Sequence, residues 1–238
     1  MNKVIIIGAT SGIGRELAKM YAANNWLVGA TGRRRDLLES LQQDFPDNII
    51  TECFDVACGE NIECLKYITQ QLGGLDLLIY NSGYGEPSEK LDWEIDKKTT
   101  QINVNGFAEI VNYAFNYFVP EGKGHIAATS SIAGIRGNSF APAYSASKAY
   151  MSTYMEGLYI KAARLKLPIY LTDIQPGFVK TKMAKSNGQF WVSPVEKAAL
   201  QIYTAIKNKK RIAYITKRWW LIAKLLHCLP MFIYKKIG

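Results

Sequence analysis

The chain has 238 residues, 48% hydrophobic and 21% charged, values that exclude wholesale disorder and suit one α/β domain with a large core. Its formal net charge is +9, from 29 Lys and Arg against 20 Asp and Glu, so an anionic partner is expected: cofactor phosphates, lipid headgroups or nucleic acid. Nucleic acid is set aside because no C2H2 spacing, RNP-like motif or basic zipper occurs, and Cys53, Cys58, Cys64 and Cys228 form no CxxC or metal-ligand spacing, which points to free thiols in a reducing, cytoplasmic compartment and to no metal.

Strands and helices alternate from the start. Residues 4–7 are a β-branched run suited to a buried parallel strand, too short for the core of a signal peptide. A turn, Gly8-Ala9-Thr10-Ser11-Gly12-Ile13-Gly14, precedes helical periodicity over 15–23. Strand patterns follow at 26–31, 48–56 and 75–81, separated by helices beginning near Asp36 and covering 60–72. A helix near 98–118 leads to a strand at 124–130, a helix over 143–165, a strand at 169–174 and a last strand at 211–215. This order predicts a doubly wound, Rossmann-type parallel sheet with helices on both faces, in one domain over 1–216 with an appendage over 217–238.

The glycine turn sits where such a fold receives a dinucleotide pyrophosphate: glycines admit the phosphates and the helix N-terminus supplies positive potential. Its spacing is GxxxGxG, not GxGxxG. At the end of the second strand Thr31-Gly32-Arg33-Arg34-Arg35 has no carboxylate to hold a ribose 2′-hydroxyl. Arginines there suit a 2′-phosphate, so NADP(H) is favoured over NAD(H), with Arg33 as the first contact, Arg34 next and Ser11 assisting.

Tyr144 and Lys148, four apart on a helix, share a face. A Tyr titrates near ~10, and bringing it to near neutrality takes roughly 4 kcal/mol of phenolate stabilisation, which a neighbouring ammonium favours. Ser131, thirteen residues before Tyr144, is placed to polarise a carbonyl while the phenol exchanges the proton.

The glycine turn, Asp55, Asn81-Ser82-Gly83, Asn103, Ser131, Tyr144, Lys148 and Pro176-Gly177 together resemble, in order, the short-chain dehydrogenase/reductase family over about residues 3–206. The resemblance implies an NAD(P)(H) enzyme that moves a hydride between the nicotinamide and a carbonyl or secondary alcohol. Tyr144 would be its general acid/base, and Lys148 would tune that phenol and hold the ribose. Ser131, favoured over Ser130 by its spacing, would bind the substrate oxygen, and Asn103 would support a proton relay. Gly8, Ser11, Gly12, Ile13, Gly14, Asp55, Val56, Asn81, Gly83, Pro176, Gly177, Val179 and Thr181 would line the cofactor, and the enzyme would be a homodimer or homotetramer. Phe107, Phe115, Tyr150 and Tyr154 would then pack at subunit contacts or in the core. The competing reading is a catalytically silent NADP(H)-binding scaffold at a membrane or partner, against which the intact Ser131, Tyr144, Lys148 and Asn103 set speaks.

Two regions depart from that pattern. Residues 182–193, where a substrate lid is expected, are short and include Phe190-Trp191-Val192, which fits an apolar substrate or a lid packed on its own aromatics. Beyond Lys217 the chain reads as an amphipathic helix with Trp219, Ile222, Ala223, Leu226 and Leu229 opposite Lys217 and Lys224, ended or kinked by Pro230. Even as sixteen helical residues it would span only ~24 Å of a ~30 Å hydrocarbon core. Three roles are open to it: lying on an anionic membrane surface, covering the substrate cleft or meeting a subunit.

Overall fold

The computed structural model describes residues 1–181 and 190–236. Seven parallel strands, β1 (Lys3–Ile7), β2 (Leu27–Gly32), β3 (Ile49–Cys53), β4 (Leu77–Tyr80), β5 (Gly124–Thr129), β6 (Ile169–Pro176) and β7 (Ile212–Ile215), form one sheet in the order β3-β2-β1-β4-β5-β6-β7. The helices are α1 (Gly12–Ala23), α2 (Arg35–Asp44), α3 (Asn61–Leu72), α4 (Trp93–Thr100), α5 (Phe107–Glu121), α6 (Pro142–Leu165), α7 (Val195–Lys207), α8 (Trp219–Cys228) and α9 (Met231–Tyr234).

The two faces of β1 show why the sheet is doubly wound. Val4 and Ile6 point into a core completed by Leu17 of α1, Leu41 of α2 and Ile202 of α7. Ile5 and Ile7 point the other way, against Leu65 of α3, Phe107 of α5 and Met151 of α6. A strand buried on both sides has no use for polar alternation, which is why β1 reads as an unbroken β-branched run. Ile7 pairs with Thr31 of β2 on one side and Tyr80 of β4 on the other. The strand order therefore reverses beside β1, and the crevice at the carboxyl ends of β1 and β4 is the place such sheets bind ligands.

Several boundaries differ from the sequence expectation. The strand predicted over 48–56 stops at Cys53, because Asp55 turns the chain by accepting from Ala57 N at 3.0 Å. The helix predicted near 98–118 begins at Trp93, capped by Asp92, whose carboxylate accepts from Glu94 N at 2.9 Å. It passes through a π-helical stretch, Gln101–Gly106, before α5. The sequence reading assigned nothing to α7, although its buried stripe, Ala198, Ala199, Ile202, Ala205 and Ile206, has helical spacing. Phe107 and Phe115 are core residues, with Tyr154 edge-on to Phe107 and stacked on the half-exposed Tyr150. Among the described residues no helix is long and apolar enough to cross a membrane.

One buried titratable group links this fold to pH. His125 on β5 places Nε2 2.8 Å from Thr172 Oγ1 on β6, and burial, with the nearby Lys209 cation adding to it, lowers its pKa from 6.5 to about 4. The fold holds the neutral imidazole, so its contribution is complete above 6.5 and is lost as pH falls toward 4. Urea unfolding at pH 5 is expected to give ~2 kcal/mol less stability than at pH 7 from this group alone. The His125→Leu variant should lose that part of the pH slope; an unchanged slope would contradict the assignment.

Candidate active site

The glycine turn is bent back onto β2. Gly8 N and Ala9 N both donate to Thr31 O, at 3.1 and 2.7 Å. Gly8 has φ +89°, in the left-handed region, and a Cβ on Gly14 would lie 2.1 Å from Gly8 O, so neither position accepts a side chain without moving the turn. Gly12, Ile13 and Gly14 form the first turn of α1, with Ser11 as its N-cap residue making no side-chain cap bond. Their N–H groups, which a helix start leaves without intrahelical partners, and the helix dipole are suited to a phosphate. Asn81 reaches across from the end of β4, its Nδ2 3.4 Å from Gly8 O while its Oδ1 accepts from Thr129 Oγ1 at 3.1 Å. Gly83 follows in the loop leading to Tyr84.

Arg33 and Arg34 take different places. Arg33 forms an exposed ion pair with Asp55 at 3.2 Å, whereas Arg34 Nη2 donates to Thr10 Oγ1 at 2.5 Å and Ser11 Oγ at 2.7 Å. Arg34, not Arg33, thus lies against the glycine turn, because α2 starts one residue later and the Arg34 side chain leaves from its N-cap position. Val56 is buried next to Asp55, and a Cβ on Gly106 would strike its carbonyl oxygen at 2.5 Å.

At the carboxyl end of β5 the chain divides two serines between two tasks. Ser130, 2% exposed, donates to Asp173 and to Ile174 O and belongs to the interior. Ser131 caps a 3-10 turn, its Oγ accepting from Ala133 N at 3.1 Å, and its hydroxyl acts on the Tyr144 phenol. The hydroxyl favours the phenolate, but burial outweighs it and raises the Tyr144 pKa above its ordinary 10.0. A Cβ on Gly85 would meet the Tyr144 ring at 2.3 Å, so the loop after β4 closes directly over the phenol.

Lys148 lies one turn further along α6 and is 3% exposed. Its Nζ donates to Thr129 O at 2.8 Å and sits 5.7 Å from the Tyr144 ring centroid. Burial lowers its pKa to about 8, partly opposed by the charge of Asp173. The expected lowering of the Tyr144 pKa by Lys148 is absent from this arrangement, since the ammonium is turned to the β5 carbonyl. Asn103 is fully buried in the π-helical stretch. Its side chain donates to Tyr84 O at 2.7 Å and Ser147 Oγ at 2.9 Å and accepts from Tyr84 N at 2.9 Å. It clamps the loop after β4 to α6 and so holds Tyr144 from the side opposite β5.

The wall beyond Tyr144 comes from the segment after β6 and from the tail. Ser131 Oγ lies 3.4 Å from Pro176 O, Gly177 N donates to Ile215 O at 2.6 Å, Val179 bridges to Ser193, and Thr181 comes within contact of Gly12. Residues 182–189 of the expected lid lie outside the described residues. Trp219 of α8, 2% exposed, packs directly on Gly177 and is ringed by Phe178, Phe190 and Trp191, with centroids 5.0–5.8 Å away. Its indole N–H is buried with no hydrogen-bond partner among the described residues. The apolar side of α8 predicted from the wheel is the packed side, with Trp219 and Ala223 buried.

Sequence reasoning missed Arg136, which fixes the tail. Its Nη1 donates to Leu226 O at 3.4 Å and Leu229 O at 3.1 Å, carbonyls that the end of α8 leaves open. Tyr234 OH donates to the adjacent Gly137 O at 2.6 Å, and the Arg136 guanidinium stacks 4.7 Å over the Tyr234 ring. No local signal marks Arg136, because its partners are backbone oxygens ninety residues away. Asp173, 5% exposed and bonded by Ser130 and by Gln175 Nε2 at 2.6 Å, did carry a signal: it is a lone acid inside an apolar strand.

Comparison with known proteins agrees with this geometry. The family model for short chain dehydrogenase matches residues 2–190. An uncharacterized oxidoreductase of Myxococcus xanthus is 33% identical over 189 residues, 77% of this chain and 74% of the relative. Another, from Mycobacterium tuberculosis, is 28% identical over 94% of this chain and 91% of its own. In structure, a short-chain dehydrogenase from Streptomyces avermitilis superposes with a TM-score of 0.80 at 23% identity, covering 95% of this chain and 92% of its own. ElxO with NADP bound gives 0.79 at 22% identity, covering 90% and 96%. With a parallel sheet reversing at β1, a glycine turn at that crevice and Ser131 acting on Tyr144 beside it, the chain belongs to the short-chain dehydrogenase family of oxidoreductases.

Proposed function

We propose that the protein is an NADP(H)-dependent oxidoreductase acting on an apolar carbonyl or secondary-alcohol pair, with Tyr144 as general acid/base. The observation that carries the reading is the Ser131 hydroxyl acting on the Tyr144 phenol, one helical turn before the buried Lys148. The crevice fits a nicotinamide dinucleotide. Its turn is closed to side chains at Gly8 and Gly14, and Arg34, Ser11 and Thr10 form a cationic, hydroxyl-bearing cluster at its rim, which favours a 2′-phosphate over a 2′-hydroxyl. Arg33 stands beside it, and the related structure of ElxO holds NADP. Gly12, Ile13 and Gly14 would take the pyrophosphate, Asp55 and Val56 the adenine edge, Asn81 and Gly83 the middle of the crevice, and Pro176, Gly177, Val179 and Thr181 the nicotinamide end. The nicotinamide, when bound, supplies or accepts the hydride.

The chain's own residues handle the proton. At neutral pH burial keeps the Tyr144 phenol protonated, the form that donates to a carbonyl oxygen during reduction. Ser131 Oγ accepts from Ala133 N and donates to Pro176 O over a long 3.4 Å, a bond the same substrate oxygen would replace. The phenolate left behind is favoured by the Ser131 hydroxyl, while Lys148, turned to Thr129 O, holds the helix that carries the phenol. Asn103 is a positioning residue, holding Tyr84 and Ser147 and through them the two walls of the cleft. Phe178, Phe190, Trp191 and Trp219 form an aromatic cluster against Gly177, which supports an apolar substrate. Tyr150, Tyr159, Ile160 and Leu165 leave apolar surface along α6, consistent with a homodimer or homotetramer built on that helix.

NADPH oxidation across a panel of apolar ketones tests the reading. Tyr144→Phe should lower turnover by about 10²–10⁴-fold while NADPH binding stays within a few-fold; full turnover in that variant contradicts the role given to Tyr144, and NADPH binding without turnover on any ketone assigns the silent scaffold instead. Arg34→Ala should weaken NADPH by about tenfold or more, the scale of a lost charge-assisted bond, and leave NADH nearly unchanged. Equal losses for both cofactors would show that Arg34 only braces the turn.

A further inference from the structure

The outward side of the tail carries more than the wheel of α8 suggested. Residues 197–238 contain ten Lys and Arg and no Asp or Glu, so the whole formal charge of +9 resides there. Five of these cations, Lys217, Arg218, Lys224, Lys235 and Lys236, belong to the tail and are exposed. Between them the tail shows water a run of large apolar side chains: Trp220 is 47% exposed, Leu221 59%, Leu225 57%, Met231 65%, Phe232 66% and Ile233 41%. These are not the residues that hold the tail down, since Trp219 and Ala223 do that from the opposite side. A helix that has already buried one apolar side and still exposes another has a second surface to cover.

The surface is rigidly presented. Arg136 ties the carbonyls of Leu226 and Leu229, Tyr234 ties Gly137, and Arg218 stacks 4.8 Å over Trp191. Its chemistry selects among occupants. Nucleic acid would answer the cations and leave the apolar side chains in water. A second copy would bring the same positive face against itself. An anionic bilayer answers both features, taking cations at its headgroups and aromatic and aliphatic side chains at the acyl boundary. Crossing the bilayer is not open to the tail, because α8 ends at Cys228 ahead of Pro230 and ten helical residues span only ~15 Å.

We propose that α8 and α9 dock this protein on the surface of an anionic lipid bilayer, with Trp220, Leu221, Leu225, Met231, Phe232 and Ile233 entering it. The proposal does not depend on the reductase reading, since none of these residues belongs to the proton machinery. Together the two have a consequence. Arg136 and Gly137, which the tail grips, follow Ser131 by five and six residues, so docking brings the wall of the cleft toward the lipid and suits substrates dissolved there.

Co-sedimentation of the full chain with vesicles tests it, using phosphatidylcholine alone and phosphatidylcholine with about 30% phosphatidylserine. Binding is expected to the anionic vesicles, to fall more than tenfold in high salt and to be weak on neutral ones. Replacing Lys224, Lys235 and Lys236 by Glu should weaken it about a hundredfold or more, at roughly fivefold for each cation removed. Leu225→Ser with Phe232→Ser should weaken it about tenfold or more with no change in melting temperature, because both side chains are exposed. No sedimentation with anionic vesicles, or equal sedimentation of wild type and both variants, overturns the proposal. So does a wild-type oligomer in analytical ultracentrifugation that Phe232→Ser dissolves without any vesicle binding, which would assign the face to a second copy.

Discussion

The site depends on one buried cation. Lys148 has given up nearly all contact with water, at a cost of several kcal/mol for an ion left uncompensated, and its Nζ meets the carbonyl of Thr129 at the last residue of β5. That bond fixes α6 against the sheet. Tyr144 lies one helical turn before Lys148 and Ser131 two residues beyond Thr129, so the same bond brings the phenol and the serine hydroxyl together. Asp173 offsets part of the cost by its charge, and is itself held by Ser130 and Gln175. The two neighbouring serines are thereby separated into one that serves the interior and one that faces the cleft.

A second constraint comes from the opposite side. Asn103, in the π-helical stretch before α5, satisfies both backbone groups of Tyr84 and reaches Ser147 on α6. A π-helical turn in a long helix is costly and is found where geometry serves a site. Here it aims a buried amide sideways out of the helix. With β5 gripping α6 through Lys148 and Asn103 gripping it through Ser147, Tyr144 has little freedom to leave its place under Gly85. The tail extends the same logic outward: Arg136 leaves the segment after Ser131 and seizes the open end of α8, so the outer wall is bound to the chain that carries the serine.

Much of this was legible in the sequence. The β-branched run at 4–7, the glycines after it and the regular alternation of strands and helices carry the doubly wound fold, because burial on both faces and a tight phosphate turn each leave a local mark. Ser131, Tyr144 and Lys148 were legible through their spacing. What spacing does not reveal is where a flexible side chain goes. Arg33 and Arg34 are adjacent in sequence, and only the start of α2 decides that Arg34 turns to Ser11 while Arg33 turns to Asp55. The direction of Lys148 was hidden for the same reason, since its partner is a backbone carbonyl with no residue signature. The α8 wheel identified the packed side, but a wheel sorts residues into one apolar and one polar side and so passed over Trp220, Leu221 and Leu225 standing among the cations.

The most direct measurement of the central claim follows the hydride. The protein is incubated with NADPH deuterated at the transferable position of the nicotinamide and an apolar ketone, and the alcohol is weighed by mass spectrometry. The account requires an alcohol one mass unit heavier, with the label on the carbinol carbon, and far less label when deuterated NADH replaces NADPH. An alcohol without the label, or one labelled equally well from NADH, would contradict it.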